Sequence, residues 1–156
     1  MEALIGELVT LRALRKDFFA AYARVFSATI QQVLHVSGVA GELDYLQNQL
    51  TQQCMGNSLF YCMFANHDDV LIGAIAIRDM QYGTGGNLYN WVNESYWGRG
   101  YYQEALRLMV VHYFACTENR YFQAYVDVTN KRSYCALKKV RLCRFWHAAW
   151  AVWLAI

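Results

Sequence analysis

The chain contains 156 residues, of which 56% are hydrophobic and 17% carry a charge. This length suits one domain better than two, and the apolar content is enough for a packed core and too high for a disordered chain. A formal net charge of +2 is too close to neutral to indicate a nucleic-acid or membrane-surface partner. We therefore expect one domain that covers residues 1–156.

The cysteines and the N-terminal residues bear on the cellular setting. The five cysteines form no Cys-x-x-Cys pair and their number is odd, so the sequence predicts neither a disulfide framework nor a zinc site. The chain does not open with a basic region and a long apolar run, and charged residues interrupt every apolar stretch before the ~20 residues of a membrane-spanning helix. We expect a cytoplasmic protein with no bound metal and no membrane partner.

The first third of the chain predicts one strand followed by three helices. Residues 8–12 are apolar and partly β-branched, as in a strand. Asp17 can cap the first helix, and in the third helix Leu43, Leu46 and Leu50 recur at spacings of three and four. The three predicted helices cover residues 18–25, 30–36 and about 42–54.

The pattern then changes to strands. Residues 58–64 and 70–77 are apolar runs on either side of a turn at 67–69, which predicts a hairpin. A glycine-rich turn at 83–86 precedes the remaining predicted elements, which are a strand at 88–92, an amphipathic helix at 102–114, a strand at 121–126 and a helix at about 131–140. The predicted apolar face of the long helix consists of Ala105, Leu106, Met109, Val110 and Tyr113. This order predicts an α/β domain with one mixed sheet.

The segment with the clearest chemical meaning is residues 97–102, Trp-Gly-Arg-Gly-Tyr-Tyr, where a strand gives way to a helix. The first turn of a helix presents unpaired N–H groups that bind phosphate, and glycines let the backbone come close to an anion. Arg99 adds a positive charge. A dinucleotide fingerprint would need glycine in place of Gln103, and a P-loop would need Lys and Ser or Thr after Gly100, so neither motif is present.

Residues 90–105 resemble the acyl-CoA pyrophosphate loop of the GNAT acetyltransferases, and they are most similar to the branch that includes the ribosomal-protein N-terminal acetyltransferases. Trp91-Val92, residues 96–101 and Glu104-Ala105 match that loop in order and spacing, although Tyr102 replaces a small residue. The resemblance implies a GNAT-like fold and acetyl-CoA as the acyl donor. It also implies that the cofactor loop consists of Trp97, Gly98, Arg99, Gly100, Tyr101 and Tyr102.

A second stretch, residues 124–133, resembles the next strand of that family and its Asn-x-x-Ser helix start. The resemblance implies that the Asn130 side chain binds the pantetheine arm and that Ser133 lies near the cofactor sulfur. Asn130 could equally serve as a plain helix N-cap, and the two roles are compatible. The resemblance extends from about residue 57 to 140, and over residues 1–56 only the order of elements agrees.

The resemblance to the GNAT family implies that an amine attacks the acetyl thioester directly. A backbone N–H near Val92 or Asn93 is the expected donor to the thioester carbonyl. Ser133 is our candidate to protonate the departing thiolate, and Tyr134 is the alternative because Leu137 occupies the position at which many relatives have Tyr. Glu94 and Asp127 are candidates for the general base, although a water relay needs neither of them.

The acceptor is less closely defined by the sequence than the donor. We expect a primary amine, with a protein N-terminal amine as the first candidate. A small amine such as a polyamine or an aminoglycoside is an alternative, and an acidic pocket would favour it. A further alternative is a degenerate domain that holds acyl-CoA without turnover. The expected oligomeric state is a monomer or a homodimer.

The resemblance stops at Arg141-Leu142, where the family has Gly-Phe, and the last residues are unusually rich in tryptophan. We therefore expect an incomplete or altered C-terminal hairpin. We predict a strand that begins near Leu142 and lies beside the strand at 121–126, and from Trp146 onward a helix and a strand are equally compatible with the pattern. The apolar surface of residues 146–156 should be buried in the domain or in a homodimer.

Overall fold

The computed structural model describes residues 2–36, 38–81, 85–119, 121–127, 129–139, 143–147 and 150–155, the last two ranges as backbone. The strands are β1 (Leu4–Ile5), β2 (Val9–Ala13), β3 (Leu59–Ala65), β4 (Val70–Gln81), β5 (Gly85–Val92), β6 (Phe122–Asp127), β7 (Cys143–His147) and β8 (Trp150–Ala155). The α-helices are α1 (Phe19–Val25), α2 (Ala28–Leu34), α3 (Val39–Cys54), α4 (Tyr101–Cys116) and α5 (Lys131–Lys138), and 3-10 turns cover Lys16–Phe18 and Glu94–Tyr96.

The elements predicted from the sequence are found, with bounds that differ by a few residues. The additional strand β1 pairs with β2 and is only two residues long, which is too short for a period-2 pattern to reveal. Helix α3 begins at Val39, three residues before the predicted start, with Gly38 as its N-cap. Of the glycine-rich turn predicted at 83–86, residues 83 and 84 lie outside the described residues, and Gly85 and Gly86 belong to strand β5 instead of the turn.

One mixed sheet runs through the molecule in the order β1-β2-β3-β4-β5-β6-β8-β7. Helix α4 covers one face, and the predicted apolar residues Ala105, Leu106, Met109 and Tyr113 are fully buried there. Helices α1 to α3 cover the other face, where Tyr22, Phe26, Ile30 and Leu46 are buried. Because helices cover both faces, β3 is buried along its whole length, and this explains its unbroken apolar sequence. Within the described ranges no helix is long and apolar enough to cross a membrane.

The sheet opens between β5 and β6. These two strands are parallel, but they pair only at Gly86 with Phe122 and at Asn87 with Gln123. Towards their carboxyl ends no further residue pairs join them in the described ladder, whereas β4 stays paired with β5 as far as Val92. The separation leaves a gap in the middle of the sheet at the ends of two parallel strands, which is a common position for ligands in α/β proteins.

The C-terminal hairpin requires a correction. The expectation of an incomplete hairpin was wrong for the backbone, because β7 and β8 pair antiparallel from Cys143 with Leu154 to His147 with Trp150. The strand predicted from about Leu142 exists as β7, but β8 and not β7 lies beside β6.

The reason for this order is the direction of the strands. A strand that follows β6 through the crossover helix α5 runs parallel to β6, and the antiparallel return strand then fills the position between them. From Trp146 onward the sequence is equally compatible with a helix and a strand, and the structure has the strand β8 there. The predicted burial of side chains 146–156 lies outside the described residues.

Candidate functional site

A cavity of about 900 Å³ occupies the gap between β5 and β6. Its walls come from the carboxyl halves of these strands, from the N-terminal ends of α4 and α5, and from α2. Since α4 and α2 lie on opposite faces of the sheet, the cavity connects the two faces. We call the part beside α4 and α5 the donor half and the part beside α2 the acceptor half. The volume is in the range that proteins use for cofactors and substrates.

The loop before α4 has the backbone geometry that anion binding requires. Gly98 has φ 77° and Gly100 has φ 91°, both in the left-handed region that favours glycine. Gly100 is the N-cap of α4 and has no side chain to cap the helix. The helical hydrogen bonds begin with Glu104 N donating to Gly100 O (3.1 Å), so the N–H groups of residues 101–103 precede the ladder. These N–H groups stand at the mouth of the donor half.

The cationic side chains at this end differ from the expectation. Arg99 is exposed and is not among the residues that line the cavity, whereas Lys131 and Arg132 from α5 line it. The Arg132 guanidinium lies 3.9 Å from the centroid of the Trp97 ring, so it bridges α5 and the loop. Two basic residues in the first turn of a helix oppose its dipole, and this unfavourable placement was the signal in the sequence.

Trp97 fixes the loop to the end of β5 and identifies the backbone donor. The Trp97 indole Nε1 donates to Val92 O at 2.6 Å. The N–H of Asn93 donates to Ile72 O on β4 at 2.8 Å and is therefore committed to the sheet. Successive N–H groups along a strand point to opposite sides, so the N–H of Val92 points away from β4 and into the gap. Of the two donors expected from the sequence, Val92 has the suitable orientation.

Asn130 and Ser133 are brought to the same cavity wall by the start of α5. The Asn130 side chain caps the helix by accepting from Ser133 N at 3.1 Å, as its plain structural role requires. Both residues line the cavity, and Ser133 is half-buried. Tyr134 is not among the lining residues and packs against the core under α4. Of the two candidate proton donors, Ser133 therefore lines the cavity and Tyr134 does not.

The two tyrosines of the loop have different environments. Both border the cavity, but Tyr101 is buried in the core and its hydroxyl forms a hydrogen bond with His67 Nδ1 at 3.3 Å. Tyr102 lines the cavity and donates to Asn90 Oδ1 at 3.4 Å, and burial raises the pKa of its hydroxyl. Tyr102 therefore forms part of the wall on the strand side instead of crowding the N–H groups of the loop.

The two candidate bases lie in different places. Glu94 accepts from Ser27 Oγ at 2.6 Å, and this hydrogen bond lowers the pKa of its carboxyl, but Glu94 is not among the lining residues. Asp127 lines the cavity at the end of β6 and accepts from Thr129 Oγ1 (2.7 Å) and Thr129 N (2.8 Å), which lower the pKa of its carboxyl. Continuing the register of β5 and β6 places Asp127 level with Trp91 across the gap.

A buried polar network forms the wall of the acceptor half, and sequence reasoning did not find it. Tyr22 and Tyr89 both donate to Glu42 Oε1, at 2.6 and 2.8 Å, and Trp91 Nε1 donates to the Tyr22 hydroxyl at 2.7 Å. Glu42 is 4% exposed, and burial raises the pKa of both tyrosines. Tyr89 and Trp91 line the cavity, so this network holds the wall in one arrangement.

Arg78 extends this wall from β4. Its Nη1 donates to the Tyr45 hydroxyl at 2.9 Å, and its guanidinium lies 4.9 Å from the centroid of the Tyr89 ring. In the sequence Arg78 is simply the first charged residue after an apolar run, and nothing in its spacing separates it from a surface residue. Only the alternation of the strand places it on the face of the sheet that α1 to α3 cover.

The comparisons with known proteins agree with this geometry. A family model described as an acetyltransferase (GNAT) domain matches residues 9–142. A search of curated proteins finds no match. A solved structure of RimL, a ribosomal L7/L12 alpha-N-protein acetyltransferase in complex with coenzyme A, aligns with TM-score 0.86 and 16% identity over 99% of this chain and 98% of that chain.

Two further solved structures show the same fold. An acetyl transferase from Salmonella typhimurium, which modifies the N-terminal serine of 50S ribosomal subunit protein L7/L12, aligns with TM-score 0.85 and 16% identity over 99% of both chains. The microcin C7 self-immunity acetyltransferase MccE, in complex with acetyl-CoA and AMP, aligns with TM-score 0.78 and 9% identity over 96% of this chain and 91% of that chain.

Proposed function

The chain belongs to the GNAT acetyltransferase family, whose model matches residues 9–142, and we propose that it transfers the acetyl group of acetyl-CoA to the α-amine at the N-terminus of a protein. Acetyl-CoA-dependent N-acetylation follows from the family. The proposal concerns the acceptor and the residues that perform each step. One observation carries it: the loop before α4, the N–H of Val92 and the start of α5 all meet in one cavity that is open to both faces of the sheet.

In the donor half, the pyrophosphate of acetyl-CoA binds at the N-terminal end of α4. The N–H groups of residues 101–103 donate to its oxygens, and the positive φ of Gly98 and Gly100 turns the backbone towards them. Arg132 supplies the positive charge from the opposite wall, held in place by the Trp97 ring. Asn130 binds the pantetheine arm through the side-chain N–H₂ that its capping role leaves available.

At the centre of the cavity, the N–H of Val92 donates to the carbonyl oxygen of the acetyl thioester. The charge on this oxygen grows in the transition state, so a donor that is already oriented stabilises the transition state more than the ground state. Trp97 keeps Val92 in this orientation by occupying its carbonyl oxygen. A donor of this kind contributes on the order of 10²-fold to the rate.

The chemical step is direct transfer. The neutral amine attacks the thioester carbon, the carbon–sulfur bond breaks, and Ser133 protonates the departing thiolate, directly or through water. The amine loses one proton as the amide forms, so the products are the acetylated amine and the free thiol of CoA. Tyr134 remains the alternative proton donor to the thiolate.

The base that takes the amine proton is Asp127 or Glu94, or water relayed to one of them. Asp127 lines the acceptor half, while Glu94 borders it through Ser27. Both carboxyls have a lowered pKa, so each is ionised at neutral pH and also attracts the ammonium form of the acceptor. An α-amine has a pKa of about 8, so a sizeable neutral fraction exists near neutrality and only a modest base is needed.

The acceptor half supports a peptide more than a polycation. A polyamine or an aminoglycoside would need an acidic pocket, whereas the described wall sets the single carboxylate of Asp127 against the guanidinium of Arg78, with His35, Asn87 and aromatic and aliphatic side chains around them. The proteins in two of the solved structures above are described as acting on ribosomal protein L7/L12. A protein N-terminus is therefore the proposed acceptor.

The experiment is a free-thiol release assay with acetyl-CoA and an acceptor panel, run beside calorimetric binding of acetyl-CoA. The panel contains lysine-free peptides, a polyamine and an aminoglycoside. Release with the peptides supports the proposal. Thiol release with the small amines alone would mean that the acceptor is a small amine and not a protein N-terminus. Binding of acetyl-CoA without thiol release on any acceptor would indicate a domain that holds acyl-CoA without turnover.

A further inference from the structure

Arg78 is a partly buried cation on the wall of the acceptor half. Its Nη1 donates to Tyr45, and the rings of Tyr45 and Tyr89 lie 5.7 and 4.9 Å from its guanidinium carbon. Burial raises the pKa of the Tyr45 hydroxyl to about 12, despite the opposing effect of Arg78, so this hydroxyl stays neutral and cannot balance the charge. Among the described residues, the groups that hold the guanidinium in place are therefore neutral.

The two acids that lie near enough to Tyr45 to raise the pKa of its hydroxyl have other hydrogen-bond partners. Glu42 accepts the hydroxyls of Tyr22 and Tyr89, and Asp79 is exposed and accepts from Asn87 Nδ2 at 3.2 Å. In the described part of the chain no carboxylate forms an ion pair with Arg78, and its buried Nε has no hydrogen-bond partner. Buried charges in proteins are normally paired, and an unsatisfied buried donor is destabilising.

We propose that Arg78 is a specificity residue that binds a carboxylate of the acceptor. The guanidinium offers a planar fork of donors that fits a carboxylate, and Arg78 lines the cavity without a carboxylate partner among the described residues. This inference rests on the proposed function, because the carboxylate that pairs with Arg78 is supplied by the acceptor peptide. It makes the two ends of the acceptor half complementary to a peptide with an ammonium at Asp127 and an acidic side chain at Arg78.

The spacing along β5 indicates where that acidic residue lies in the peptide. Arg78 is opposite Asn87, five residues before Val92, and its guanidinium reaches Tyr89, three residues before Val92. At about 3.3 Å per residue, the carboxylate is roughly 10 Å or more from the amine. An extended peptide covers this distance in about three residues, so the acidic residue is the third or the fourth.

The experiment compares matched lysine-free peptides with Asp or Asn at position 3 or 4, and measures kcat/KM by thiol release. The enzymes are the wild type, Arg78→Met, Arg78→Lys and the control Arg107→Met, which removes the same charge from an exposed position of α4 outside the cavity. We expect the wild type and the control to prefer an Asp peptide about tenfold or more, and we expect the ratio of kcat/KM between the Asp and Asn peptides to fall to about one in Arg78→Met. Arg78→Lys should keep part of the preference.

The outcomes separate this inference from the proposed function. If the wild type acetylates Asp and Asn peptides equally at both positions, the inference is wrong and the proposed function stands. If no peptide is acetylated, the proposed function fails, and calorimetric binding of the Asp and Asn peptides in the presence of CoA then tests Arg78 alone. Equal affinities would overturn it. If Arg78→Met does not fold, the Asp to Asn ratio of the wild type and of Arg78→Lys decides the question.

Discussion

The two halves of the cavity are built from different kinds of sequence. The donor half comes from two short stretches, the loop before α4 and the start of α5, in which neighbouring residues perform related tasks. The acceptor half comes from α2, β4, β5 and β6, and its polar wall joins Tyr22, Glu42, Arg78 and Tyr89, which are spread over residues 22–89. Local backbone geometry is therefore sufficient for binding the donor, while recognition of the acceptor depends on how the whole sheet is packed.

The largest expected effect tests the point at which the halves meet. Ser133→Ala should lower kcat by roughly 10²-fold or more, because the departing thiolate loses its proton donor while its binding groups remain. Calorimetric affinity for acetyl-CoA should be nearly unchanged. Tyr134→Phe is the matched control, since Tyr134 packs against the core and should change kcat little. A kcat of Ser133→Ala within about twofold of the wild type would transfer the role to water or to Tyr134.

The next effect is confined to the donor half. Gly100→Val places a β-branched residue at φ 91° and brings its Cβ to about 3.3 Å from Leu8 Cδ1, so the loop must change its backbone and turn its N–H groups away from the pyrophosphate. We expect acetyl-CoA binding to weaken by about 1–3 kcal/mol, measured by calorimetry on folded protein. Gly41→Val is the control for a glycine substitution far from the loop. If Gly100→Val binds acetyl-CoA as tightly as the wild type, the loop is not part of the binding site.

A smaller effect distinguishes the two arginines near the donor half. Arg132→Met should weaken acetyl-CoA binding by about 1 kcal/mol, because Arg132 lines the cavity beside Trp97. The affinity of this variant should also change less with salt concentration than that of the wild type. Arg99→Met should change the affinity less, because Arg99 is exposed and does not line the cavity. Calorimetry at low and high salt measures both. A larger loss for Arg99→Met than for Arg132→Met would mean that the sequence-based choice of cation was correct.

The contrast between the halves also explains what the sequence could predict. Gly98 and Gly100 lie in one short stretch between a strand and a helix, and the resemblance of that stretch to the GNAT loop separated it from an ordinary Gly-x-Gly turn. Ser133 likewise follows Asn130 at a fixed helical spacing, so both candidates could be proposed from local sequence. Arg132 was missed because its signal in the sequence, a basic residue in the first turn of a helix, does not by itself show the contact with the Trp97 ring. Asn93 could not be separated from Val92, because the direction of an N–H depends on the register with β4.

The fold followed the same rule. The periods of the apolar residues gave the elements from β2 to α5, and the buried face of α4 was predicted correctly. The order of β8 and β7 could not be obtained in this way, because it depends on strand direction and not on local pattern. The network around Glu42 joins residues that are 20 and 47 positions apart, so no local pattern indicates it.

The smallest expected effect lies at the border of the acceptor half. The hydrogen bond from Ser27 lowers the pKa of Glu94 below its value in the unfolded chain. Its contribution to stability is therefore present above the unfolded pKa of about 4.3 and is lost as the pH falls through the folded pKa. Glu94→Gln should be slightly less stable than the wild type at pH 7, and this difference should shrink on acidification. Thermal unfolding at pH 7 and pH 3 measures it, and a difference that grows at low pH would contradict the assignment.

The central claim is that the donor and acceptor halves meet at Val92, so that an α-amine reaches the acetyl group. The most direct measurement is mass spectrometry of a lysine-free peptide after incubation with the protein and acetyl-CoA, with an N-terminally blocked peptide of the same sequence as the control. We predict one acetyl group on the α-nitrogen of the free peptide, formed in step with free CoA thiol, and none on the blocked peptide. Bound acetyl-CoA with no acetyl group on the free peptide, at any of the sequences tested above, would contradict the claim.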